Sequence, residues 1–183
     1  MKHLQHLSAE ENLQRLTYRN TLNNTEAIEK FATWLITGLA AILGAMIVNS
    51  EAVSKAITSS CFSWGLTFLV ISLLLGVISK QVGAALLSGL SVLDELYNKI
   101  ESPEWQAVLQ ECSDSTEEFG LKLISPFSFP ISFIMHRAFK NGSKDKLAAE
   151  KRLIKLFCIL IYLSWGQSIL GALGLLTFAI GIK

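Results

Sequence analysis

Apolar residues gather in three long runs along the chain, and the polar residues between them follow helical rather than alternating spacing. The first run extends from Phe31 to Val48 without a charge. At 1.5 Å per residue it is about 27 Å long as a helix, close to the thickness of a hydrocarbon core. Lys30 precedes it, and Asn49, Ser50 and Glu51 close it. The second run, Cys61 to Ser79, has nearly the same length and is closed by Lys80. The third, Leu156 to Ile182, is also uncharged. As a helix it is about 40 Å long, enough for one tilted span but not for a hairpin. A soluble domain of 183 residues cannot hide three such runs, so the pattern predicts an all-α, polytopic integral membrane protein with three transmembrane helices. A shorter apolar segment, Leu123 to Met135, carries Pro126 and Pro130. It would reach only about 20 Å as a helix, short of a span. Prolines four apart remove two backbone donors and kink a helix twice. The segment reads as interfacial, re-entrant or buried, and adds a fourth span only if it crosses.

The polar remainder divides the chain into four parts. Residues 1–30 form an N-terminal amphipathic region, and 31–79 a transmembrane hairpin with a short loop at 49–60. Residues 80–155 form a helical module, and 156–183 a C-terminal transmembrane helix. Ser8 and Glu11 have capping-box spacing and start a helix over 8–19 that puts Leu13 and Leu16 on one face. Thr25 is the expected N-cap of a helix running into the first span. Leu86, Leu90, Leu93, Leu96 and Tyr97 keep helical spacing, which extends the second span to Ile100, where Ser102-Pro103 stops it. Trp105, Val108 and Leu109 mark a short helix, and Asn141-Gly142-Ser143 a turn. Lys144 to Lys155 reads as helix running into the third span.

Half the residues (51%) are hydrophobic, only 17% are charged, and the net charge is +1. That near-neutrality is an average over sorted charges. Lys and Arg collect on the cytoplasmic side of membranes. With three spans and the N-terminus inside, 14 of the 16 basic residues lie inside; with four spans the split is 8 to 8. The sequence therefore predicts three spans in a plasma (inner) membrane, with the N-terminus and the 80–155 module cytoplasmic. The first span acts as an uncleaved signal anchor, since the residues before it are polar. The sequons at Asn23 and Asn141 fall on the cytoplasmic side and are expected to be unused. Asp94 to Glu118 carries eight acids and one base, and Arg137 to Lys155 seven bases and two acids. The bases Lys144, Lys146, Lys151, Arg152 and Lys155 read either as residues held against lipid headgroups or as one half of a latch closed on the acidic block.

The spans contain no Asp, Glu, Lys, Arg or His, the usual marks of proton relays and ion-coupled transport. Serines there have no membrane-depth base to activate them. The three cysteines, Cys61, Cys112 and Cys158, lie far apart and fit neither a disulfide framework nor a metal site. No nucleophile elbow, HExxH or P-loop pattern occurs. The expectation is a protein without catalytic activity, metal, cofactor or nucleic-acid partner.

The spans do carry small residues at helical spacing, which lets helices approach closely in lipid. The third span has Ser164, Ser168 and Ala172 spaced by four, with Gly171 and Gly174. The first has Ala40 with Gly44 and Ala41 with Ala45, and the second Ser72 with Gly76. Gln167, near the middle of the third span, needs a partner for its amide. It can find another Gln167 across a symmetric interface, a serine of a neighbouring helix, or water in a pore. Trp34 and Trp64 sit where aromatic belts occur. Two readings follow. One is a self-associating homo-oligomer in membrane lipid, pore-forming or membrane-perturbing, an effector gated by its cytoplasmic module. The other is an accessory or scaffold subunit that recruits a cytosolic protein through residues 80–155.

Overall fold

The computed structural model describes residues 8–100, 102–103, 126 and 147–182. The expected helix at Trp105, the turn at 141–143, Lys144, Lys146, most of the acidic block and all of 123–135 but Pro126 lie outside the described residues. The described chain is helical, with a single isolated bridge between Ile57 and Ile182. Its helices are α1 (Ala9–Leu22), α2 (Thr25–Val48), α3 (Ser50–Ala56), α4 (Ser59–Ile100) and α5 (Ala148–Ile180). Three helical stretches, ending at Val48, Lys99 and Ile180, are long and apolar enough to cross a membrane, which is consistent with a multi-pass membrane protein.

The local signals act as their chemistry dictates. The Ser8 N–H donates to the Glu11 carboxylate at 2.6 Å, and the Glu11 N–H donates to Ser8 Oγ at 3.1 Å, the reciprocal capping box. α2 begins at Thr25 with Asn24 as its cap residue, and the Asn24 side chain makes no capping hydrogen bond. The expected cap is thus one residue late. Thr25 lies inside the helix and is fully buried. The second apolar run continues as helix to Ile100 and the third is preceded by a helical stretch from Ala148, giving helices of 42 and 33 residues. Beyond α4, the Ser102 N–H and hydroxyl both donate to the Lys99 carbonyl, and Pro103 follows.

By contact the chain divides into two units, Met1–Leu22 with Ser88–Ile154, and Asn23–Leu87 with Lys155–Lys183. In the second unit α2, the first part of α4 and most of α5 form a three-helix bundle. Opposed residues give its directions. Gly65, Gly76 and Gly174 of the α4–α5 pair sit against Phe178, Gln167 and Leu69, so the numbers rise on one helix as they fall on the other and the two run antiparallel. Leu39, Leu43, Leu69 and Phe178 form the apolar core. Phe62 and Phe178 meet with ring centroids 6.1 Å apart. At one end the Thr58 N–H donates to the Gly181 carbonyl at 2.9 Å. A side chain at Gly181 would bring its Cβ to 2.5 Å from the Cys61 Cβ, so only glycine fits that approach.

Large apolar side chains lie on the outside of this bundle as well as in its core, and several polar side chains are buried with that core. Trp34, Ile47, Val48, Leu74, Trp165 and Ile180 are exposed, while Ser72, Ser79, Ser164 and Gln167 are buried. So many exposed large apolar side chains are unusual on a soluble monomer.

Candidate functional site

Two sets of buried polar groups stand out, one in each unit. The first gathers on Tyr97. Arg15 and Arg19 are four apart on α1, so they share one helix face. The guanidinium of Arg15 lies 3.7 Å from the centroid of the Tyr97 ring, and that of Arg19 5.3 Å. Both are within cation–π range. The Tyr97 hydroxyl donates to Glu150 Oε1 at 2.6 Å, and Arg15 Nε stands 3.6 Å from the same oxygen. Arg19 pairs with Asp94, nearly one turn before Tyr97 on α4. Glu150 is fully buried and its Oε2 has no partner among the described residues. Burial, then the hydrogen bond to Glu150 and that carboxylate's charge, push the Tyr97 hydroxyl up to about 12, with the two arginines pulling the other way. Tyr97 therefore stays protonated and acts as a donor. Leu22, Leu93, Leu147 and Leu153 supply buried apolar contact in this unit, and Gly89 admits Leu153.

The second set lies between the three helices of the bundle. Gln167 is fully buried. Its Nε2 reaches the Ala32 carbonyl at 3.4 Å, a long hydrogen bond, and its Oε1 has no partner among the described residues. Ser72 donates to the Gln167 backbone carbonyl at 2.6 Å. Gly76 makes the room, since a Cβ there would stand 2.5 Å from Gln167 Nε2. Ser79 Oγ is likewise buried without a described partner. The Gln167 amide thus meets a backbone carbonyl of its own chain.

The small residues read from the sequence separate into two groups. Ser164, Gln167, Gly171 and Gly174 are buried on the inner face of α5, with Gly171 against Leu39 and Ser72 and Gly174 against Leu69. Ser168 is half-buried, with its hydroxyl on the Ser164 carbonyl, and Ala172 is exposed. Spacing by four follows one helix face only approximately, and the buried stripe is 164, 167, 171 and 174. Ala40 and Gly44 are exposed, and a Cβ at Gly38 or Gly44 would meet nothing within 4 Å.

No family model, curated protein or solved structure matches the chain. Its chemistry must be read from its own residues. Lys151, Arg152 and Lys155 are exposed at the start of α5. Asp94 of the acidic block is paired with Arg19, and Glu150 of the basic block with Arg15. Asp94 thus meets α1, and Glu150 meets both α1 and, through the Tyr97 hydroxyl, the segment that carries the acidic block. Arg15, Arg19, Tyr97 and Glu150 are not legible as a site from sequence. The available signal is the four-residue spacing of the arginines beside the Leu13–Leu16 face.

Proposed function

We propose that the protein is a multi-pass integral membrane protein that works by association rather than by catalysis. The apolar parts of α2, α4 and α5 cross the bilayer, and the N-terminus and residues 80–155 lie in the cytoplasm. The observation that carries this reading is the exposure of large apolar side chains over the outside of the bundle, while serines and Gln167 are buried with its core. In lipid the outside is solvated by acyl chains and buried polar groups find partners between helices. The 14-to-2 sorting of basic residues supports the orientation. A glycan on Asn23 or Asn141 would refute it.

Self-association is the finer part of the proposal. Gln167, Gly171 and Gly174 are occupied within the chain, so the face open to a second copy is that of α2, with Gly38, Ala40, Ala41, Gly44 and Ala45. Copies joined there assemble into a pore-forming or membrane-perturbing effector governed by the cytoplasmic module. The test replaces the three cysteines and introduces single cysteines along α2 and α5 in native membranes. Cross-linked dimers at positions 41 and 45, and none at 171 and 174, are expected. Monomers at every position would sink the idea.

A scaffold role is the second reading, favoured by α1. Leu13 and Leu16 are 65% and 57% exposed, an apolar face suited to a cytosolic helix. Co-purification of one partner, lost on Leu13→Ser with Leu16→Ser, would select it.

A further inference from the structure

A groove of about 700 Å³ runs along the start of α2, with Glu26, Glu29, Lys30, Thr33 and Trp34 on one wall and Leu87 of α4 on the other. Its charges do not balance. Lys30 and Glu26 close on each other at 2.7 Å, one helical turn apart. That pairing holds the Glu26 carboxyl below its ordinary range and lifts the Lys30 ammonium above its own. The Thr33 and Thr37 hydroxyls donate to carbonyls of their own helix. Glu29 is left. It is half-buried, and among the described residues its carboxylate has no ion pair and no hydrogen bond. Its stem lies against Gly83, where a Cβ would stand 3.2 Å from Glu29 Cγ. The glycine therefore lets the side chain rest on α4 instead of swinging into water. Trp34 follows five residues on and is 72% exposed, at the depth where indoles meet headgroups.

We propose that this groove binds the ammonium group of a zwitterionic phospholipid headgroup. The inference rests on the membrane reading above. Glu29 supplies the unbalanced negative charge and the Trp34 ring a face for the cation. An anionic headgroup without an amine meets the Glu29 carboxylate and is repelled. Charge complementarity thus selects the amine-bearing lipid from the membrane's mixture.

Native mass spectrometry of the full-length protein tests this, with dioleoyl phosphatidylethanolamine, phosphatidylcholine and phosphatidylglycerol offered at equal concentration. Retention of the two amine lipids over phosphatidylglycerol is expected. Glu29→Gln should cut that preference about tenfold, and Trp34→Leu should weaken phosphatidylcholine retention by a few fold. Trp34 lies at the surface, so its replacement leaves the fold intact. Equal retention of all three lipids by the wild type, or an unchanged preference in Glu29→Gln, overturns the proposal. Carbonate extraction of expressing membranes reads the underlying assumption separately. Protein released into the supernatant refutes both readings, whereas membrane-retained protein without amine preference refutes the site alone.

Discussion

The three-helix bundle and the unit that contains α1 are both tied by buried polar groups, but the ties differ in kind. In the bundle, glycines let side chains interlock, Gly65 with Phe178 and Gly174 with Leu69, and the buried polar residues are neutral. Around Tyr97 two arginines lie over one aromatic ring, a buried glutamate accepts from its hydroxyl, and an aspartate pairs with one of the arginines. Close fit is indifferent to salt and pH and intolerant of added volume. A charge cluster tolerates volume but responds to protonation and to the loss of either sign. The first kind is loosened by a change of side-chain volume, and the second by a change of pH or ionic strength.

Adding volume to the bundle should have the largest effect. A Cβ at Gly174 would lie 2.7 Å from Leu69 Cδ2 and 3.1 Å from the Gly65 carbonyl, and the backbone atom cannot step aside. Gly174→Leu is expected to destabilise the detergent-solubilised protein by about 3 kcal/mol, read as loss of helical signal on heating. The same replacement at Gly44, which faces open space, should leave the melting curve where it is. If the two variants melt together, close fit is not what holds the bundle.

Breaking the charge cluster comes next. Arg15→Ala removes the cation beside a fully buried carboxylate. A cost of about 2 kcal/mol is expected, below the usual range for a buried pair because Arg15 is itself partly exposed. Amides of α1 should then exchange about thirtyfold faster, with those of the bundle unchanged. Arg19→Ala should cost about 0.5 kcal/mol, since the Arg19–Asp94 pair is open to water and screened by salt. Equal effects from the two arginines would contradict the burial of Glu150 as the deciding factor.

Alkaline pH gives a gentler probe of the same cluster. The folded protein holds Tyr97 up to about 12, against about 10 for a free tyrosine. The raised value favours the neutral form in the fold. Its contribution is therefore complete below about pH 10 and lost as the pH climbs from there toward 12. A tyrosinate titration of the wild type minus that of Tyr97→Phe should show one group ionising late, and α1 should become protease-sensitive over the same interval. A difference curve centred on the ordinary tyrosine value would place Tyr97 outside the cluster.

The elements are largely legible in the sequence. Uncharged runs, capping spacing and Ser102-Pro103 are local signals, so the three long helices and the start of α1 follow from them. The face each helix buries is less so. Spacing by four draws Ala172 into the Ser164–Gly171 stripe, yet it is exposed, because 3.6 residues per turn moves a strict four-residue repeat off one face. The Tyr97 cluster is hidden for another reason. Arg15, Tyr97 and Glu150 come from α1, α4 and α5, far apart in the chain, and no local pattern encodes such a meeting.

The smallest effect is expected at the residue that stands out most in the sequence. An amide in the middle of an apolar span suggests a strong interhelical tie. Gln167, however, makes one long bond to Ala32 at 3.4 Å and leaves Oε1 buried without a described partner. Removing it forfeits little, and it also removes an unsatisfied acceptor whose burial is itself costly. Leucine has nearly the same volume and fills the space that Gly76 provides. Gln167→Leu should shift stability by less than about 0.5 kcal/mol, in contrast to Gly174→Leu two turns away on the same face. A large loss would instead mean that Oε1 has a partner in the membrane. If the variant also lost cross-linking along α2, that partner would come from the assembled form, and the bundle would depend on its neighbours as well as on its own fit.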